Sequence, residues 1–390
     1  MNQITDFNIK DKRVFIRADL NVPMHSGNIS SKNRIQASLP TIKYALESGA
    51  KVMITSHLGR PQEGHFNQED SLAPIADYLS QILNKAIPLI KDWTIKDFIV
   101  KSGEMVVLEN CRFNVGESNN DIKLSKLYAN LADIFVMDAF GTAHRKQAST
   151  YGIAEFCPQV CAGKLFISEL QALDKVMSFP KFPMVAIVGG SKVSTKLTIL
   201  DSLSDKVDQL ILGGGIANTF LKAQGYNIGM SLCEDDFIPS AKNIIEKLES
   251  RGASLPVVTD VVCGKKFDEH ELAVVKSIKD LDSDDMIFDL GPITMTSITE
   301  KIKQANTILW NGPIGVFEFK QFAAGTKALA HAVANSSAFS LAGGGDTIAA
   351  IESYGMKKNI SYVSTAGGAF LEYVEGKKLP AIEILERRAS

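Results

Sequence analysis

The chain has 390 residues, 45% of them apolar and 22% charged, with a formal charge of −2. That length suits two ordinary cores, that composition a soluble globular protein, and that charge gives no reason to expect nucleic acid or an anionic membrane as a partner. Residues 1–12 are polar, with no apolar core of a signal peptide, and no apolar run approaches the roughly 18–20 residues of a spanning helix, so the expected location is the cytoplasm.

In chain order, short apolar runs alternate with helical patterns. Residues 14–17 read as a buried strand; Ile35, Leu39, Ile42 and Leu46 then recur at helical spacing, with Gly49 as the stop. A strand over 52–55 precedes Leu72, Ile75, Ala76, Leu79, Ile82 and Leu83, a second helix with Asp70 and Ser71 before it as caps. Strands over 105–108 and 134–137 lead to a helix over 162–178, closed by Pro180 and Pro183. Further strands are read over 185–188, 210–212, 257–258, 286–288, 308–310, 339–341 and 360–363. The alternation predicts an α/β protein of two doubly wound domains, each a parallel sheet with helices on both faces, divided in the helix over 162–178. The domains are drawn as 1–170 and 171–375.

Cys111, Cys157, Cys161, Cys233 and Cys263 are odd in number and scattered, which argues against a disulfide framework. Cys157 and Cys161 lie close together, but no neighbouring Cys or His completes a metal set, so they read as small apolar residues.

Five glycine-rich turns follow strands in the second half: 189–192, 213–215, 311–313, 343–347 and 366–369. Glycine at a strand end exposes backbone N–H groups, and a helix starting there adds a positive dipole end. One such turn is most simply a tight connection; five suggest a polyphosphate site. In the turn at 343–347, Asp346 is placed to hold magnesium and Thr347 to cap a helix or touch phosphate. Lys192 and Lys196, four apart, would share one face of a helix beginning at that first turn.

The arginines are divided differently. Arg13, Arg17, Arg34, Arg60, Arg112 and Arg145 precede residue 151, and only Arg251 falls between there and residue 380. Forked guanidinium groups suit carboxylate or phosphate, so the front half reads as the holder of a small anion. His57 with Arg60, and His144 with Arg145, lie just past strand ends, where open sheets bind ligands. Asp19 and Asn21 would meet hydroxyls or simply form the turn before Pro23. The phosphate loop Gly-x-x-x-x-Gly-Lys-[Ser/Thr], the dinucleotide glycine pattern and the protein-kinase His-Arg-Asp and Asp-Phe-Gly pair are all missing.

Longer strings carry a family resemblance. Residues 17–23 (RADLNVP), 56–61 (SHLGRP), 108–113 (LENCRF), 138–145 (DAFGTAHR), 310–318 (WNGPIGVFE) and 343–347 (GGGDT) resemble phosphoglycerate kinases, in order, from residue 13 to about 380. The resemblance implies a kinase of glycolysis and gluconeogenesis, transferring phosphoryl between 1,3-bisphosphoglycerate and ADP to give 3-phosphoglycerate and ATP. It implies that Asp19, Asn21, Arg34, His57, Arg60, Arg112 and Arg145 hold 3-phosphoglycerate. Lys196, Glu318, Gly344, Gly345, Asp346 and Thr347 would form the nucleotide site, with Gly213 and Asn311 in its loops. Mg2+ with ATP or ADP is the implied cofactor, with Asp346 nearest the metal.

Lys192 and Arg34 would steady the phosphoryl group in flight, helped by the helix start at Gly367 and Gly368. The acceptor is a carboxylate, already ionised at neutral pH, so no general base is required. The resemblance also implies a monomer, and a C-terminal segment from about 376 to 390 packed onto the first domain. Because the two sites fall on different halves, the domains are expected to close like a hinge, joined by the helix over 162–178 as the hinge helix. Two rivals are a binding protein that senses a phosphorylated acid, and a nicotinamide-dependent dehydrogenase. Pure binding needs no in-flight cations, and the broken dinucleotide pattern speaks against the second.

Overall fold

Strands of four to six mostly apolar residues are buried along nearly their whole length, and the helices between them supply the cover. The computed structural model describes residues 1–389. The chain divides into two units, one of residues 1–171 with the segment from 378 onward, the other of residues 172–377.

In the first unit the sheet strands are β1 (Arg13–Ala18), β2 (Lys51–Thr55), β3 (Leu89–Ile90), β4 (Met105–Leu108), β5 (Ile134–Asp138) and β6 (Gln159–Ala162). They pair in parallel in the order β3-β4-β2-β1-β5-β6. The chain winds outward from β1 through β2, then crosses to β5 and β6 on the other side. Connections therefore diverge between neighbours β1 and β5, the kind of switch point at which an open α/β sheet leaves a crevice. The core joins Val14, Ile16, Ile54, Val107 and Val136 to Ile35 and Ile42 of helix Asn33–Glu47. Gly49 stops that helix as expected: at φ +74° its N–H reaches the Leu46 carbonyl at 3.0 Å.

Helix Ala73–Leu83 has a different start from the one expected. Neither Asp70 nor Ser71 is its N-cap residue; Leu72 is, and its N–H donates to Glu109 Oε1 at 2.8 Å, while Ser71 Oγ donates to Glu109 Oε2 at 2.7 Å. A carboxylate from the end of β4 thus satisfies the helix entrance, a partner invisible to local pattern. Helix Lys164–Met177 runs through the boundary between the units. Asp138, the last residue of β5, accepts from Leu165 N and Phe166 N at 3.0 and 3.1 Å, and so caps that helix. Helix Pro380–Arg387 belongs to the first unit, with Ala381 N on the Ala143 carbonyl and Arg388 Nη2 on the Cys157 carbonyl.

The second unit holds β7 (Met184–Gly189), β8 (Gln209–Gly213), β9 (Asp260–Gly264), β10 (Val274–Ser277), β11 (Met286–Leu290), β12 (Thr307–Asn311), β13 (Phe339–Ala342) and β14 (Tyr362–Val363). A parallel sheet runs β8-β7-β12-β13-β14, with connections diverging between β7 and β12. A second, antiparallel sheet, β10-β9-β11, was not anticipated. Residues 257–258 are not a strand: Val257 is 72% exposed, and pairing starts at Asp260. Register there comes from outside the segment, because the Thr294 hydroxyl accepts from Thr259 N and Asp260 N. β10 is largely exposed and has no apolar alternation to announce it.

Candidate functional site

In the first unit the predicted anion-binding residues gather at the C-terminal ends of the central strands. Asp19 follows β1, His57 follows β2, Arg112 follows β4 and Arg145 follows β5, while Arg34 comes from the first turn of helix Asn33–Glu47. Arg34 Nη1 donates to Asp19 Oδ1 at 3.1 Å and to the Asn21 carbonyl at 3.2 Å. Asn21 Oδ1 accepts from Gly59 N at 3.1 Å, and Arg112 Nη1 donates to the Gly59 carbonyl. Asn110 holds the same loop by donating to the Leu58 and Asp70 carbonyls, each at 2.8 Å. Arg60 stands exposed at the loop's end.

Electrostatically the site carries an excess of positive charge. Arg34–Asp19 is the only ion pair of these arginines among the described residues. Burial, then repulsion from Arg145, Arg17 and Arg60, lowers the Arg112 pKa; burial with Arg17 and Arg60 lowers that of Arg145. Burial pushes His57 well below the usual imidazole value, with Arg17, Arg112, Arg145 and Arg34 adding to the effect. His57 is therefore a neutral ring among cations. Asp19 Oδ2 is buried without a hydrogen-bond partner, an acceptor suited to a ligand hydroxyl.

Sequence reasoning assigned no role to Arg17, yet this side chain is wholly buried beneath the site and bonds His57. Its signal was available: a charged residue within the apolar run that follows Arg13 in β1.

In the second unit the ends of β7 and β12 meet around Lys196. Its Nζ donates to Gly189 O at 2.5 Å, to Asn311 O at 3.3 Å and to Asn311 Oδ1 at 2.7 Å. Asn311 Nδ2 in turn donates to Gly343 O at 2.8 Å, which ties in the turn after β13. Burial lowers the Lys196 pKa to about 8, opposed by Asp346. Thr347 Oγ1 donates to Gly343 O at 2.8 Å and accepts from Gly312 N at 2.6 Å, so it fastens two glycine turns together. Gly312 (φ +104°) and Gly344 (φ +98°) occupy the left-handed region, and a Cβ on Gly312 would lie 2.2 Å from Gly189 O.

Lys192 and Lys196 do not share a helix face. The helix begins only at Leu197, and the preceding turn is held by Ser194, whose N–H and hydroxyl both donate to Glu234. Lys192 is exposed and Lys196 half-buried. Gly367 and Gly368 are exposed at the start of helix Gly368–Val374. Gly213 is buried against Ile314, and its successors in the same turn, Gly214 and Gly215, line a cavity.

That cavity, of about 720 Å³, includes Glu318 and Asp346 of the expected nucleotide site, while its apolar wall formed no part of that expectation. Gly190, Gly214, Gly215, Glu318 and Asp346 contribute polar groups to its lining, and Leu232, Phe267, Phe288 and Val316 contribute apolar and aromatic surface, the kind a planar ring packs against. Asp346, in the first turn of helix Gly345–Ser353, is exposed, and its carboxylate makes no hydrogen bond or ion pair among the described residues. A free carboxylate fits magnesium carried by a polyphosphate, which takes one protein oxygen and fills its other positions with phosphate and water.

A family model described as phosphoglycerate kinase matches residues 4–377. The structure resembles that of phosphoglycerate kinase from Coxiella burnetii, with a TM-score of 0.96 and 54% sequence identity over 100% of this chain and 99% of that one. It also resembles phosphoglycerate kinase from Pyrococcus horikoshii OT3, with a TM-score of 0.84 and 33% identity over 100% and 99% of the two chains.

Proposed function

This chain belongs to the phosphoglycerate kinase family and is a phosphotransferase, and from that premise we propose that it transfers phosphoryl reversibly from 1,3-bisphosphoglycerate to ADP. The observation that carries this reading is the gathering of Arg34, Arg60, Arg112 and Arg145 around neutral His57 with a single acidic partner, Asp19. Such a cluster is costly without a multiply charged anion to occupy it. Arg34, Arg60, Arg112 and Arg145 bind the 3-phosphoglycerate carboxylate and phosphate, and Asp19 and Asn21 receive its hydroxyl. In the second unit, the polyphosphate lies on the amides near Gly344, Gly345 and Lys196, with Glu318 toward the ribose and the base against Phe267 and Phe288.

Magnesium, held by Asp346 and the phosphates, would neutralise charge on the transferring group. The chain's own part is orientation and electrostatic stabilisation. Lys192, Arg34 and the amides at Gly367 and Gly368 meet the phosphoryl group as it moves between carboxylate and nucleotide. The attacking carboxylate is ionised, so no protein base is assigned. We propose further that transfer in line brings the two domains together around both ligands and excludes water, and that the enzyme works as a monomer in the cytoplasm, serving glycolysis and gluconeogenesis.

The test is incubation with Mg-ATP and 3-phosphoglycerate, with product coupled to NADH oxidation through a dehydrogenase. Turnover requiring all three components supports the reading. Folded protein that binds both ligands without turnover returns it to a binding protein. A radius of gyration that stays unchanged when both ligands bind removes the closure.

A further inference from the structure

Arg17, Ser149 and Glu117 are each fully buried, and they form a chain that ends on His57. Arg17 Nε donates to Ser149 Oγ at 2.9 Å, and Arg17 Nη2 lies 3.2 Å from His57 Nδ1. Arg17 Nη1 donates to the Ala18 carbonyl. Beyond it, Ser149 Oγ donates to Glu117 Oε1 at 2.5 Å, and Ser149 N donates to the same oxygen at 3.3 Å.

A guanidinium can only donate, and it does not lose its proton in proteins. Each direction along this chain is then forced. Ser149 Oγ must accept from Arg17, so its single hydrogen goes to Glu117. His57 Nδ1 must accept from Arg17, so it carries a lone pair, and the ring's proton sits on Nε2. That nitrogen makes no hydrogen bond among the described residues.

We infer that Glu117 and Ser149 are positioning residues, which act through Arg17 to hold His57 as a neutral Nε2–H donor. Building on the proposed substrate, His57 offers an oxygen of the acid one directed hydrogen bond, while the surrounding arginines supply the charge. The depressed pKa of His57 agrees: burial disfavours a charged ring, and a fifth cation beside Arg17, Arg112, Arg145 and Arg34 would be repelled. Glu117 closes the chain as the acceptor beyond the serine, and burial, opposed by Ser149 and Arg17, raises its pKa. The arrangement lets a positive charge stand beneath an anion site without an acid competing for the ligand.

Nitrogen-15 NMR of the histidine rings tests this without any substrate, with the His57 signals identified by their loss in His57→Asn. Wild-type protein at neutral pH should show a protonated Nε2 and a lone-pair Nδ1. Ser149→Ala frees Arg17, should bring in the Nδ1–H form, and should raise KM for 3-phosphoglycerate about tenfold, the worth of one hydrogen bond to a charged group, with nucleotide KM unmoved. Glu117→Gln keeps an acceptor for the serine and should leave the wild-type tautomer. A wild-type ring that is Nδ1-protonated or cationic overturns the inference, even if no variant folds. So does a folded Ser149→Ala with unchanged tautomer and KM. Should the tautomer stand and wild-type turnover be absent, the kinase reading fails and the positioning chain does not.

Discussion

Lys196 Nζ lies 2.7 Å from Asn311 Oδ1, and the two residues join the ends of neighbouring strands β7 and β12 where the sheet connections diverge. Asn311 also holds the Gly343 carbonyl, so one amide fixes both a cation and a glycine turn. Asn311→Ala removes both contacts and should weaken Mg-ADP binding about tenfold in calorimetry, taking roughly 1.4 kcal/mol for one effective charged hydrogen bond. KM for 3-phosphoglycerate, whose proposed site lies in the first unit, should not change. Equal losses at both sites would mean general damage.

The Lys196 pKa of about 8 places its titration within reach of ordinary assays. In the ligand-free protein the ammonium loses its proton as pH rises through that value, so nucleotide affinity should fall above it and stay level below. Stability runs the other way. The folded pKa lies below the unfolded one, so the cost of burying the charge is fully present below pH 8 and is relieved as pH climbs toward the ordinary lysine value. The unfolding free energy of wild type minus that of Lys196→Met should therefore grow across that window. A flat difference would show that Lys196 titrates as a free lysine.

Gly312→Ala should unfold or loosen the second unit, because its φ of +104° and the Gly189 carbonyl leave no room for Cβ. A loss of at least about 2 kcal/mol in denaturant titrations is expected from backbone strain together with the clash. Gly345→Ala is the contrast: its Cβ would meet nothing within 4 Å, and stability should hold. Similar melting curves for the two variants would refute the distinction.

Lys192 is exposed, so Lys192→Ala should leave the melting temperature alone. Turnover should drop by at least about a hundredfold, the size seen when one donor to a developing charge is removed. Mg-ADP affinity should change little. Near-normal turnover would take the phosphoryl-steadying role from this lysine.

Arg34→Ala addresses the proposed site of the other ligand. It removes the ion pair at 3.1 Å and leaves Asp19, 2% exposed, as a buried carboxylate without its cation. Turnover and affinity for 3-phosphoglycerate should both fall, and stability should drop with them. Calorimetry with 3-phosphoglycerate alone separates these losses, and unaltered binding would move the anion to another arginine.

Local sequence was enough for the strands at 14–17, 52–55 and 308–310, the helix ended by Gly49, and the strings that carry phosphoglycerate kinase resemblance. Apolar periodicity and glycine conformation act over a few residues, so a sequence records them directly. Tertiary structure decided which strand ends became neighbours. It put Glu109 at the entrance of helix Ala73–Leu83 and began β9 at Asp260 rather than Val257. It also set Lys196 apart from Lys192 and gathered Leu232, Phe267, Phe288 and Val316 into one cavity. Arg17 shows the difference most plainly. Its charge in an apolar strand is visible in one dimension, but its bonds to Ser149 and His57 span 132 and 40 residues. Contacts over such separations arise from sheet order and packing, which no local spacing encodes.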